Sequence, residues 1–228
     1  MIRSATARAY LLRSVRLLLE AYAGAELPQW EALARTIRSV HLDPGDTLFS
    51  AGEVHPYVYY VEEGLMKAQM TDARGRAVIT FFAEEGELLV SMPALAPEGI
   101  RQVVQRNLHP RADDLMVAVQ GVSIHTVVAV EPSVVHGFDY RLIDRLGTRH
   151  IPWSRLATAL SMAYAITLQA DAVTLRNSPE QRYRQLLYSR PELVARISRR
   201  DLAAYLNVTD VALSRIAKRV EATEDPEG

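Results

Sequence analysis

Cysteine is absent from the 228 residues. That removes structural disulfides, thiolate-ligated zinc, iron–sulfur clusters and thiol nucleophiles in one step, and it suits the cytoplasm, the expected location. Long hydrophobic runs are also missing: no wholly apolar stretch approaches the ~20 residues of a membrane span, so no membrane partner is expected. The N-terminal "AYLLRSVRLLLEAYAG" carries Arg13 and Arg16 inside its apolar part and reads as an amphipathic helix rather than a signal peptide. There is no GxSxG, P-loop or HExxH. Glu62, Glu63, Glu84 and Glu85 stand beside turn signals, where such pairs are solvated faces rather than acid/base dyads. No catalytic residue is expected, and no enzyme.

What is present is globular: 49% hydrophobic and 23% charged residues, enough for a core. Net charge is −1, but unevenly spread. Between Gln181 and Val220 nine basic residues face three acidic ones, a local +6 that leaves −7 on the remainder. A basic segment on an acidic body points to an anionic partner for that segment.

Periodicity divides the chain. Residues 1–40 read as helices, with Leu11, Leu12, Val15, Leu18 and Leu19 and then Trp30, Leu33 and Ile37 at helical spacing, and Pro28 at a helix start. From 41 to 140, β-branched and aromatic runs alternate with turns such as Pro44-Gly45-Asp46, Glu63-Gly64 and Glu85-Gly86, the pattern of a β-sandwich or barrel. Within it, 91–121 is an insert with three prolines and a helix-like "GIRQVVQRNL". Residues 141–176 read as one long helix, and 177–228 as a separate C-terminal domain.

In the long helix, Leu156, Ala159, Ala163, Ile166, Ala170 and Val173 step by three and four, a seam of small and apolar residues that allows close helix approach. Trp153, Leu160, Tyr164 and Leu168 form a second stripe. A helix with two stripes needs cover on both sides; the β-domain can supply one and the same helix of a second copy the other. A homodimer is expected, against a central helix wholly inside one domain.

The run "ISRRDLAAYLNVTDVALSRIAKRV" is either a helical hairpin closing a core or a helix-turn-helix. Leu202, Leu206, Val208, Leu213 and Ile216 fall where two steeply crossed helices need apolar pins, and Ala203 where they cross closely. Asn207 stands at the turn, which wants a left-handed backbone. Ser198 and Thr209 are N-caps, and Asp210 lies in a first turn. So many constraints met in so short a run favour DNA binding.

These residues resemble the C-terminal winged helix of the Crp/Fnr transcription regulators. "SPEQRYRQLLYSRPELVARIS" is similar to the segment preceding that motif in the branch without a consensus cyclic-AMP site, and "LDPGDTLFSAGEVHPYVYYVEEGLMKA" resembles the opening of the cyclic-nucleotide-binding β-roll. The resemblance implies an α+β fold: N-terminal helices and a jelly-roll-like β-roll sensor, a dimerisation helix, and a winged helix-turn-helix. It implies double-stranded DNA and a second copy as partners, with RNA polymerase as a further one. Its second motif helix enters the major groove, so Asp210, Val211, Ala212, Ser214, Arg215 and Lys218 become DNA-facing. Arg215 matches the family's base-reading arginine. Val211 and Asp210 replace the family's Glu and Arg one turn earlier, where Val211 could touch a thymine methyl. Thr209, Ser198, Arg199 and Lys218 are phosphate candidates.

The family's ligand cassette supplies Gly-Glu for a ribose hydroxyl and Arg-Ser/Thr-Ala for a phosphate. Gly86-Glu87-Leu88 matches the first half; at the second stand Ser123, Ile124 and His125. Without an arginine the phosphate has no partner, so the effector is expected to be an unknown small molecule other than cyclic AMP. Alternatives are that Arg101, Arg106 or Arg111 of the insert replaces the charge, that the insert fills the pocket, or that it recognises another ligand. The six histidines, at 41, 55, 109, 125, 136 and 150, form no His-x-His or His-x-x-x-His pair. A cupin-like enzyme would need one, with a Glu, so no metal site is expected; ordinary surface or packing roles are expected of these histidines, against a single heme ligand at His55 or His109. The remaining rival is a sensor or partner-binding β-roll protein that has lost DNA binding.

Overall fold

The computed structural model describes residues 5–72, 75–107 and 120–224. The chain divides into two compact units, one of Met1–Ala68 with Phe82–Tyr164 and one of Gln69–Phe81 with Ala165–Gly228.

Helix α1 (Ala5–Ala23) buries Leu11, Val15, Leu19 and Ala23, one residue per turn. The second helix, α2 (Trp30–Ala34), is a short turn that buries Trp30, Leu33 and Ala34. Helix was expected to residue 40; strand β1 (Arg38–Leu42) begins earlier, because β-branched Thr36, Ile37 and Val40 favour extended backbone. Pro28 does not start a helix either; its carbonyl accepts the indole N–H of Trp153 at 2.8 Å.

The strands β2 (Thr47–Phe49), β3 (Tyr57–Glu63), β4 (Met66–Thr71), β5 (Ala77–Ala83), β6 (Leu88–Val90), β7 (Thr126–Ala129) and β8 (Ser133–Asp139) complete two four-stranded sheets, ordered β1-β8-β3-β6 and β2-β7-β4-β5. This is the expected α+β class with a β-roll. Strand β8 lies between β1 and β3, antiparallel to both, and is buried from Ser133 to Phe138. Alternation explains why both faces are covered. Phe138 joins Val58 in a core with α1 and α2, while Gly137 lies opposite Tyr59, whose ring occupies the space a Cβ would need. At the β3–β4 turn Gly64 has φ +91°, and a Cβ there would run into Pro132 and Ser133; no other residue type fits.

Between β6 and β7 the insert forms α3 (Met92–Leu95) and α4 (Glu98–Asn107). Its remaining candidates, His109 and Arg111, lie outside the described residues. After β8 come α5 (Tyr140–Gly147), capped by the Asp139 carboxylate on the Arg141 N–H, and α6 (Ile151–Thr174). By length and composition alone α6 could cross a membrane; the fifteen residues between Arg155 and Asp171 are uncharged. Its start is nevertheless core, with Trp153 and Leu156 fully buried beside α1 and α2 residues.

The C-terminal segment holds α7 (Pro179–Ser189), α8 (Pro191–Arg196), α9 (Arg199–Tyr205) and α10 (Asp210–Glu224). Among its described residues there is no strand, so those of a wing are not among them.

Candidate nucleic-acid interface

Helices α9 and α10 are built by local signals. The Ser198 hydroxyl accepts the Asp201 N–H at 3.0 Å, and Thr209 Oγ1 accepts that of Ala212 at 3.2 Å, satisfying first-turn donors that otherwise have no helical partner. Between the helices, Asn207 adopts φ +51°, the left-handed backbone that Asn tolerates at modest cost. Leu202, Ala203, Leu206, Leu213 and Ile216 are buried as pins, together with Leu186, Leu193 and Val220; Val208 is half-buried.

Polar contacts on the same elements sort the basic residues. Arg182 donates to the Leu206 carbonyl at 2.8 Å and has its pKa lowered by burial, so it is structural. The Glu180 carboxylate takes Arg219 at 2.9 Å and Arg184 at 3.3 Å, and these hydrogen bonds, that of Arg219 first, lower its pKa. Asp210, Val211, Arg215 and Lys218 are exposed along α10, and Ala212 and Ser214 are half-buried beside them. Arg199 reaches across from α9 and donates to Ser214 Oγ at 2.6 Å, so two residues expected to meet DNA separately are bonded to each other.

No protein-family model matches the chain. It is 29% identical over 180 residues, 79% of its own length and 69% of the relative's, to the transcriptional regulatory protein btr of Bordetella pertussis. The structure of FixK2 from Bradyrhizobium japonicum superposes with a TM-score of 0.60 at 16% identity, covering 82% of this chain and 86% of that one. A CooA mutant from Carboxydothermus hydrogenoformans gives 0.58 at 12% identity, covering 90% and 84%. The chain shares the fold of FixK2 and CooA.

The expected seam on α6 is divided by length rather than by face. Leu156 is fully buried in the chain's own core, which corrects its assignment to a dimer interface: a partner has nothing there to cover. Ala159 and Ala163 are half-buried and Ala170 is exposed. Ile166 is 64% and Val173 63% exposed, with Met162 at 60% and Leu168 at 50% on neighbouring positions.

The two halves of the ligand cassette are each committed to the backbone. Gly86 N–H donates to Val61 O at 2.9 Å, and the Glu87 carbonyl accepts Val61 N–H at 3.0 Å. The Glu87 carboxylate accepts the Glu84 N–H at 2.8 Å, which turns it onto its own loop; Leu88 is half-buried in β6. Ser123 is fully buried, bonded through its backbone to Gly52 and Glu53. Its hydroxyl donates to the His125 carbonyl at 2.7 Å. Ile124 is half-buried. Burial pushes His125 down to about 4, so its ring is neutral at physiological pH and gives a phosphate no charge. Arg101 of the insert donates to the Gln120 carbonyl at 2.8 Å, closing the insert on itself, and Arg106 is exposed.

His136 and Glu62, read from sequence as a surface or packing residue and a solvated one, form a hydrogen-bonded pair at 2.7 Å. No local signal marks it, since 74 residues separate the two. Among the described residues no three His, Asp or Glu converge as a metal site. His55 is half-buried and stacks on Phe49 with ring centres 4.1 Å apart, a packing arrangement.

Proposed function

We propose that the chain is a homodimeric, sequence-specific transcription regulator of the cytoplasm. Two copies join through the exposed part of α6, α10 of each enters the major groove of double-stranded DNA, and the β-roll responds to a signal other than cyclic AMP. At a promoter, RNA polymerase is the partner such a bound dimer meets.

The observation that carries this reading is the α9–α10 pair: both caps are made, the turn is left-handed at Asn207, and one face of α10 stays polar and open. A hairpin whose role was to close a core would have no use for a solvent-facing Arg215 and Lys218 at helical spacing. Ser198, Thr209, Arg199 and Lys218 are assigned to phosphates, which position the protein, and Arg215 to a base edge, with Val211 beside a thymine methyl. The dimer is supported by Met162, Ile166, Leu168 and Val173; each such side chain gains about 1.5–3 kcal/mol on full burial. The case against cyclic AMP rests on the neutral His125 and the inward-turned Ser123 and Glu87. Calorimetry with cyclic AMP is expected to show no saturable binding.

One observation favours a second reading, a sensor without DNA binding: Asp210, Val211 and Ala212 put no cation on the first turn of α10. Gel shifts with genomic fragments around the chain's own gene separate the two. Arg215→Ala should lower specific affinity by about 1–3 kcal/mol and relax preference at one base pair per half-site. If neither wild type nor Arg215→Ala shifts any fragment, the second reading stands.

A further inference from the structure

The three hydroxyls assigned to the DNA-facing surface each accept a hydrogen bond from the protein itself. Ser198 Oγ takes the Asp201 N–H, Thr209 Oγ1 takes that of Ala212, and Ser214 Oγ takes a guanidinium N–H of Arg199. The first two are caps, exposed at helix starts, where their O–H hydrogens suit phosphate oxygens that only accept. Ser214 differs in place and in partner. It lies on the second turn of α10, with Val211 three residues before it and Lys218 four residues after it on the open face. Its bond comes from a charged side chain on another helix, 15 residues away. A hydroxyl inside a helix can donate back to the carbonyl four residues earlier, as Thr158 and Ser161 of α6 do at 3.0 and 2.9 Å. The described bond of Ser214 is the one from Arg199, and at 2.6 Å it has the shortness of a charge-assisted contact.

We infer that Arg199 fixes the polarity of Ser214 and makes it a specificity-determining residue: the pair reads the keto edge of a guanine or thymine, at a base pair other than the one Arg215 contacts. The inference rests on the DNA-binding reading above and names what one further position of that surface recognises. A serine by itself donates or accepts, so it meets either kind of base edge. An arginine only donates. With the guanidinium on its oxygen, Ser214 presents its hydrogen to the groove. Guanine O6 or thymine O4 then meets two donors, whereas the amino group of adenine or cytosine meets a donor and a positive charge. Arg199 is exposed, and its fork of N–H groups has further donors for a phosphate, so one side chain ties a backbone contact to a base contact. Arg199 acts through Ser214 and is a positioning residue. Without it, the Ser214 hydrogen is free to turn back to the Asp210 carbonyl, four residues earlier, which leaves lone pairs facing the base.

The test titrates the full chain, as wild type, Ser214→Ala, Arg199→Gln and the double variant, against an operator selected from random DNA by the wild type and against every single base-pair substitution of it, at one salt concentration. Arg199 is exposed and Ser214 half-buried, and alanine and glutamine are both good helix formers, so the variants keep the fold. At one base pair per half-site, wild type should favour guanine or thymine over adenine or cytosine on the same strand by about fivefold or more. Ser214→Ala should flatten that position and leave the others unchanged. Arg199→Gln should flatten or reverse the same position and also weaken every sequence by a common factor, through the lost phosphate contact. The double variant should be no flatter there than Ser214→Ala, because the two residues act as one unit. Specific binding with an intact base profile in Ser214→Ala, a common weakening of all sequences with an intact profile in Arg199→Gln, or a wild-type preference for adenine or cytosine at every position Ser214→Ala alters each overturns the inference and leaves the DNA-binding reading standing. Wild type that prefers no sequence at all overturns both.

Discussion

At the scale of single residues, His125 ties the ligand question to stability. Its ring is buried and its pKa falls from 6.5 to about 4 because burial disfavours the charged form. The unfolded chain takes up a proton near pH 6.5 and the folded chain resists until about pH 4, so between those values the unfolded state binds more protons and stability falls as pH falls. The full interval amounts to about 3 kcal/mol. His125→Gln is expected to lose less stability than wild type on acidification from about pH 7 to about pH 4.5, measured by urea denaturation. Equal losses would mean that the ring is not held neutral. Residues like Ser198, Asn207 and Thr209 were legible in the sequence because caps and left-handed turns are set by neighbours two or three positions away. His136 was not: its partners, Ser39 and Glu62, reach it through strand register, which a periodicity scan does not contain.

At the scale of elements, the caps carry a measurable share of the helix-turn-helix. Thr209→Ala removes the acceptor for the Ala212 N–H and should cost about 0.5–2 kcal/mol in thermal or urea unfolding, while Asn207→Gly should be neutral or slightly stabilising, since Gly adopts φ +51° without strain. The alternation of the strands and the spacing of α1 and α6 gave the elements directly. What spacing left unresolved in α6 is burial along its length: Leu156 and Ile166 sit in one periodic series, yet the first is sealed in the core and the second is 64% exposed. Periodicity reports faces and carries no information on how far along a helix its cover extends. Ala163, between those regimes, is the place to test the dimer. Ala163→Glu would put a carboxylate into the proposed seam, at a cost of several kcal/mol if it has no partner there. Light scattering at micromolar concentration should find the variant monomeric and the wild type dimeric; a variant of wild-type size means the seam lies elsewhere.

At the scale of the whole molecule, the proposed dimer makes joint demands of charge and symmetry on its DNA. The excess of +6 between Gln181 and Val220 is partly spent internally, on Glu180 by Arg184 and Arg219 and on the Leu206 carbonyl by Arg182. The cations of α10 left for DNA are Arg215 and Lys218, which should behave differently. Arg215 is assigned to a base edge, so its loss is read as specificity. Lys218, three residues further along, is assigned to a phosphate, so its loss should weaken specific and scrambled DNA alike. Each phosphate contact contributes about 0.9 to the slope of log affinity against log salt, and a two-fold dimer makes the contact twice. Lys218→Ala should therefore make the slope shallower by nearly 2 per dimer. The same symmetry requires two half-sites about 10 base pairs apart, centre to centre, so that both α10 helices meet one face of the duplex. Moving one half-site by about 5 base pairs, half a turn, should abolish specific binding and leave the salt-dependent part intact. A salt series on both DNAs measures all three quantities; an unchanged slope in Lys218→Ala, or indifference to the half-turn shift, would remove Lys218 from the backbone or the second copy from the complex.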